Sequence, residues 1–295
     1  MSLYNYKILE TVVQQRSFGK AALVLNLTPS AISHAVNKLE EDFGMFLFVR
    51  DRKGVYLTVD GERLMPYIRS VQQSNELLKQ QVDEIHGLLR GTVRLATFNS
   101  VTIRWLPQII KSFRAEHPMI DIKIYQGGYY EITNWLKSNI VDLGFVVNDI
   151  AASMEVIPLH KDRLICITPQ DYIPIHKNYV TVEDMKKMNL ILQRDGYNTE
   201  MLDFFERNNM KVSSSFNVET DEAIVALVEA GLGYCILSDM ISYNHNMEVN
   251  VYPIIPNDYR TIGLAMIKHQ NAAPATIKMR KKILEFIHAN NLMNI

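Results

Sequence analysis

Ser30, Ser33, His34, Asn37 and Lys38 recur at helical spacing between Pro29 and Phe43. Short polar or basic groups gathered on one helix face can enter a DNA groove, bond base edges and touch phosphates. Three cations follow: Arg50, Arg52 and Lys53 crowd beside Gly54, between the apolar stretches Phe46–Val49 and Val55–Leu57. Cations clustered on a β-turn beside such a helix suit phosphate or minor-groove contact. The helix alone is more safely read as a capped helix with a solvated face. The basic hairpin tips the balance toward nucleic-acid recognition.

The elements that would hold these groups can be read locally. Ser17 can accept a hydrogen bond from an orphan backbone amide and cap a first short helix. Ala21 and Ala22 are small enough for a second helix to approach, and Asn26 tolerates the left-handed conformation that a sharp joint requires. Thr28 followed by Pro29 is an N-cap and a first-turn proline. Ile32, Val36, Leu39 and Phe43 then form one apolar stripe, and Gly44 ends the helix where glycine is favoured. Two helices with a tight joint and a basic hairpin form a winged helix-turn-helix, a module that places one helix in the major groove.

From Thr58 onward the chain is helix-prone, with Pro66 expected to kink it. Leu64, Ile68, Val71, Asn75, Leu78, Val82, Ile85 and Leu89 alternate four and three residues apart. That is a heptad seam able to pair two helices, with Asn75 fixing register at some cost in stability. An amphipathic helix lying on its own domain is the competing reading. A dimer would present two recognition helices to a pseudo-palindromic DNA site.

Beyond Gly87 to Gly91 strands and helices alternate. Strands are expected at Val93–Thr97, Ile120–Gln126, Val141–Val147, Leu164–Thr168, Leu190–Leu192, Ser214–Val218, Tyr234–Leu237 and Ile262–Ile267. Helices are expected at Ile103–Glu116, Tyr129–Ser138, Met201–Asn208, Glu222–Ala230 and Ala275–Ala289. The alternation implies an α/β fold with mostly parallel sheets. Such sheets bind ligands at the carboxyl ends of their strands. Polar groups at those places are Asn99, Ser100 and Thr102, then Gly127-Gly128-Tyr129, Gln193 and Arg194, and Thr220. Helix N-termini attract anions, so a small carboxylate or similar metabolite suits the site. Ser100 and Thr220 suit simple N-capping equally well.

Phe18–Ala22, the run Thr28-Pro-Ser-Ala-Ile-Ser-His-Ala-Val-Asn-Lys-Leu-Glu40, the segment Gly44–Arg50 and Leu57-Thr-Val-Asp-Gly61 closely resemble the LysR-type transcriptional regulators. Length and domain order extend the resemblance over the whole chain. It implies that Ser33 and its helix read bases, that Arg52 on the wing binds DNA, and that dimers pair into tetramers. It also implies a periplasmic-binding-protein-like effector domain of two α/β subdomains, with Ser100, Thr102, Gln193 and Thr220 at effector-contacting positions. RNA polymerase is left open as a further partner. The domains would be a winged helix-turn-helix over 1–58, a dimerisation linker helix over 59–90 and an effector-binding domain over 91–295. Within the last, one subdomain would take about 91–163 and 268–295, the other about 164–267.

Composition narrows the class. With 295 residues and 47% hydrophobic side chains the chain can bury more than one core. A net charge of -1 excludes an indiscriminate nucleic-acid coat, and residues 1–90 are nearly neutral. Recognition would come from a local patch. No glycine-rich phosphate loop, no nucleophile elbow and no His/Cys/Asp/Glu cluster at metal-ligand spacing is present, so an enzyme, a cofactor or a metal is not expected. Cys166 and Cys235 lie in apolar contexts that suit a core role. Without an early apolar run or a long apolar stretch, the chain reads as cytoplasmic, with no membrane partner. The expected function is a DNA-binding transcriptional regulator modulated by a small-molecule effector. The alternative is a DNA-binding dimer whose α/β module binds a protein or acts without ligand.

Overall fold

The computed structural model describes residues 2–292 apart from 53, 148–153, 194–198, 212, 213, 215, 219, 243–247 and 269–271. The chain divides into two compact units. One comprises Met1–Gly91 with Lys137–Ile140 and Asn271–Pro274; the other comprises Thr92–Leu136, Val141–Gln270 and Ala275–Ile295.

The first unit opens with α1 (Leu3–Gln15), α2 (Phe18–Leu25) and α3 (Pro29–Phe43). The capping residues act as their chemistry demands. Ser17 accepts from the Lys20 amide and Thr28 from the Ala31 amide, while Asn26 and Gly44 close α2 and α3 in the left-handed region. Ala21, Ala22, Ile32, Ala35, Val36 and Val55 form a shared core with Ile8 and Val12 of α1. The wing is an antiparallel pair, β1 (Phe48–Asp51) and β2 (Gly54–Leu57). Phe46, expected in the first strand, precedes it and is exposed. Gly54 has φ +138°, and a Cβ there would lie 3.0 Å from the Arg16 carbonyl, which accepts the neighbouring Val55 amide. Only glycine meets both conditions. The long α4 (Val59–Ile85) starts at the Thr58 cap and runs unbroken through Pro66.

The second unit is built on an eight-stranded mixed sheet. Its first half contains β3 (Gly91–Thr97), α5 (Asn99–Arg104), α6 (Leu106–Glu116), β4 (Ile120–Gln126), α7 (Tyr129–Lys137) and β5 (Leu143–Val147). The single helix expected over Ile103–Glu116 is therefore two, broken at the buried Trp105. Pro107 in the first turn of α6 has no amide to continue the earlier ladder. The chain then crosses on the sixteen-residue β6 (Met154–Pro169).

The second half contains β7 (Val180–Thr181), α8 (Val182–Met185), β8 (Leu192–Gln193), α9 (Thr199–Arg207), β9 (Asn217–Val218), α10 (Asp221–Glu229), β10 (Cys235–Ser238), α11 (Asp239–Ser242) and β11 (Val249–Ile255). Then β12 (Tyr259–Ile267) crosses back and α12 (Pro274–Ala289) returns to the first half, where Lys282 bonds Glu116 of α6.

Mostly parallel sheets were expected, and here the structure differs. β3–β5, β8–β9 and β7–β11 are parallel, but β6 pairs antiparallel with β10, β11 and β12, and β12 also runs antiparallel to β5. Two long strands that cross in opposite directions must run antiparallel to each other. The alternation of β6 and β10 splits the second half's core. Leu164, Cys166 and Ile236 face α9, while Ile165, Ile167, Cys235 and Leu237 face α10. Both cysteines are thus core groups on opposite faces of the sheet, and burial pushes both thiols well above their ordinary range.

Candidate functional site

On α3, burial of Ile32, Ala35, Val36 and Leu39 turns the polar residues outward. Ser30, His34, Asn37 and Lys38 are exposed and Ser33 is half-buried, so one helix carries the expected base-reading face. Ser30 Oγ lies 2.9 Å from Thr28 Oγ1. Lys38 Nζ lies 3.2 Å from Asp42 and 3.7 Å from Glu41. The hydrogen bond to Asp42 and the two negative charges hold Lys38 above its ordinary pKa, so it reaches a phosphate only in competition with its own helix.

On the wing, the Arg50 guanidinium lies 4.3 Å from the Phe18 ring centre, which braces it against the start of α2. Arg52 is exposed at the tip. Lys53 lies outside the described residues. A link that residue types did not announce joins helix and wing: Glu40 Oε1 accepts the Leu47 amide at 2.7 Å and the Phe48 amide at 3.2 Å. Helix and hairpin are therefore held in one fixed relation.

The expected seam on α4 divides into two parts. Leu64 and Ile68 pack with Leu9, Leu39, Leu47 and Met65 in the unit's own core. Asn75 is half-buried, whereas Val71, Leu78, Val82 and Ile85 are exposed.

In the second unit, a buried polar network is centred on Arg260, a residue near the start of β12 and opposite Asp162 of β6 that the periodicity of β12 did not single out. Its guanidinium is 3% exposed and donates to Asp162 Oδ2, Ser100 Oγ, Ser238 Oγ and Tyr129 OH at 2.6 to 2.9 Å. Phe98 lies across it, 5.2 Å from ring centre to guanidinium carbon. Burial opposes the charge of Arg260, but Tyr129, Asp162 and Glu200 outweigh it and raise its pKa. Glu200 sits 3.5 Å from Arg260 Nη1, and its Oε1 accepts from Tyr129 at 3.0 Å.

Beside this network is a cleft of about 320 Å³, lined by Asn99, Gln126 and Gly127 from the first half and Gln193, Thr220, Asp221 and Glu222 from the second. Asp221 bridges the halves. It accepts from Asn99 Nδ2 at 2.7 Å and from Gln193 Nε2 at 3.1 Å. Burial raises its carboxyl pKa, partly offset by the hydrogen bond from Asn99.

The expected effector residues separate accordingly. Asn99, Gln193 and Thr220 line the cleft, and Ser100 lines the adjoining void at Arg260. Thr220 also caps α10, accepting from the Ala223 amide, whereas Ser100 caps no helix. Thr102 bonds Phe98 O at 3.0 Å and lies 3.2 Å from Thr97 Oγ1, and Gly128 is buried with its amide on Glu131. Neither lines the cleft. Arg194 lies outside the described residues. Sequence reasoning missed Arg260, Asp162, Glu200 and Asp221. The available signal was a charged residue set in or against an apolar strand or helix.

A winged helix-turn-helix followed by an α/β module with a polar cleft defines a DNA-binding transcriptional regulator with an effector-binding domain. The family model described as "Bacterial regulatory helix-turn-helix protein, lysR family" matches residues 3–62, and "LysR substrate binding domain" matches residues 86–285. The chain belongs to the LysR family of transcriptional regulators. It is 27% identical over 289 residues to the uncharacterized HTH-type transcriptional regulator YvbU of Bacillus subtilis, covering 96% of this chain and 99% of that one. It is 30% identical over 258 residues to the HTH-type transcriptional regulator IlvY of Escherichia coli, covering 83% and 84%. Among solved structures, a full-length OxyR variant from Pseudomonas aeruginosa superposes with a TM-score of 0.77 at 19% identity, covering 98% of this chain and 95% of that one. The protein is a regulator and not an enzyme. Among the described residues, no helix is long and apolar enough to cross a membrane.

Proposed function

We propose that this regulator reads a pseudo-palindromic operator as a homodimer able to pair into a tetramer, and that a small polar metabolite in the cleft adjusts that binding. The observation that carries the reading is the cleft itself. About 320 Å³ of space is walled by side-chain amides, hydroxyls and carboxylates drawn from both α/β halves. That volume falls within the range of small-molecule sites, and a ligand there would bias the separation of the halves. Ser30, Ser33, His34 and Asn37 are assigned to base edges, and Lys38, Arg50, Arg52 and Lys53 to phosphates or the minor groove. Val71, Asn75, Leu78, Val82 and Ile85 are assigned to the dimer seam, continuing from Leu64 and Ile68.

The test is a footprint of the full chain on its own promoter region, with and without a metabolite panel. Binding measurements on operator and random duplexes follow. A ligand that changes operator affinity by about 5- to 150-fold expresses a coupling in the usual allosteric range. Ser33→Ala is expected to weaken operator binding more than random binding, and Arg52→Ala to weaken both and lower the salt slope by about one. A footprint indifferent to every metabolite would reject the sensor; equal losses for Ser33→Ala on both duplexes would reject its base-reading role.

A further inference from the structure

The charge in and beside the cleft does not match the anion that bare helix N-termini would attract. The N-terminus of α10 opens onto it, but Thr220 caps that end and Asp221 and Glu222 occupy its first turn. Those two carboxylates already answer the positive end of the helix dipole. Among the described residues, the cleft wall carries both of them and no basic side chain.

The adjoining void, about 30 Å³, is shared by Asn99, Gln193 and Asp221 of the cleft and is closed by Glu200 and Arg260. Arg260 offers an incoming anion little, because its nitrogens are engaged by Asp162, Tyr129, Ser100 and Ser238. Glu200 is different. Its side chain is 4% exposed, Oε1 bonds Tyr129, and Oε2 is buried and meets no hydrogen-bond partner within bonding distance among the described residues. A buried carboxylate oxygen without a donor costs free energy that an incoming donor would recover.

We propose that the ligand of this cleft presents a protonated amine, which enters the void and bonds Glu200 Oε2 and Asp221 while the rest of the molecule fills the cleft. The assignment rests on reading the cleft as the effector site. Three considerations support it. Among the described residues, Asp162, Glu200 and Asp221 place three carboxyl groups around one guanidinium, so a further positive charge moves the cluster toward balance. An ammonium has three donors and no acceptor, which suits the carboxylates of Glu200 and Asp221. Burial raises the pKa of both Glu200 and Asp221, and a cation beside them would restore their ionised forms.

The experiment is thermal melting of the full-length protein with ethanolamine and putrescine, each against a carboxylate counterpart, glycolate and succinate, at matched concentrations. It is repeated with Glu200→Gln and Asp221→Asn. Melting of the unliganded variants shows whether each folds, and Asp221→Asn serves if Glu200→Gln does not. The amines are expected to raise the melting temperature and the carboxylates not to, with amine affinity falling at least tenfold in either variant. A rise with glycolate or succinate alone overturns the amine while the sensor stands. An amine shift unchanged in both variants overturns the placement. A flat response to both classes overturns the amine assignment, and joined to an unresponsive footprint it overturns the sensor as well.

Discussion

Arg260 and Asp162 are direct cross-strand partners on β12 and β6, and both Nε and Nη2 of the arginine bond the same carboxylate oxygen, at 2.9 and 2.7 Å. Both side chains are almost wholly removed from solvent, so the pair sits where the two crossing strands join the α/β halves. Removing one member of such a pair strands the other charge in a medium that cannot solvate it. Arg260→Met is expected to destabilise the effector-binding module by about 3–5 kcal/mol. Urea unfolding followed by tyrosine and tryptophan fluorescence measures it. A loss below about 1 kcal/mol, the scale of a surface pair, would show that water reaches Asp162.

Glu40 makes the second prediction. Its Oε1 accepts the amides of Leu47 and Phe48, and Leu47 is buried. Glu40→Ala leaves both donors unanswered, at about 1–3 kcal/mol for a buried orphan. Operator and random-DNA affinity should fall together, because the wing loses its fixed distance from α3 while every side chain proposed to read bases stays in place. Fluorescence anisotropy on both duplexes reads this. A selective loss on the operator alone would mean that Glu40 acts through the bases and not through the wing.

The DNA-binding unit was largely legible in the sequence because its determinants are local. Ser17, Asn26, Thr28, Pro29 and Gly44 each act within a few residues of themselves, and the stripe Ile32, Val36, Leu39 is a property of one helix. The cleft proposed for the effector was legible only in part. Asn99, Gln193 and Thr220 mark strand ends, but the bond from Asn99 to Asp221 spans 122 positions and that from Arg260 to Ser100 spans 160. No periodicity encodes such pairs. The parallel-sheet expectation failed for a related reason. Alternation along the chain shows that strands and helices follow each other, but not that β6 and β12 cross between halves in opposite directions. On α4, Leu64 and Ile68 of the heptad spacing serve the fold's own core, a division that spacing alone does not reveal.

That division separates two kinds of substitution on one helix. Ile68 is 5% exposed within a core shared with Leu9, Leu39, Leu47 and Met65, so Ile68→Ala should destabilise the DNA-binding unit by about 2–5 kcal/mol. Leu78 and Ile85 are 63% and 80% exposed in the single chain. Leu78→Glu with Ile85→Glu places charge on the proposed seam, and sedimentation equilibrium should show a monomer with unchanged helix content by circular dichroism. An unchanged mass would rule out the seam as drawn.

The last prediction concerns acid stability. Asp184 is 1% exposed on α8, where burial alone would raise its pKa. The amides of Ile175 and Thr181 and the hydroxyls of Thr181 and Tyr172 all donate to its carboxylate, at 2.6 to 3.0 Å, and together they hold the pKa down at about 2. The folded value lies below the unfolded value of about 3.9, so the unfolded chain takes up the proton first as pH falls. The stabilisation is therefore present at neutral pH, begins to fade as pH passes about 4 and is lost near 2. A depression of this size corresponds to about 2.6 kcal/mol. Asp184→Asn removes the titration while keeping the shape. Urea midpoints measured from neutral pH down to pH 2 should fall more steeply for the wild type than for the variant, by about that amount in free energy. Parallel curves would show that the carboxylate is not held ionised by its four donors, and that another group sets the acid limb.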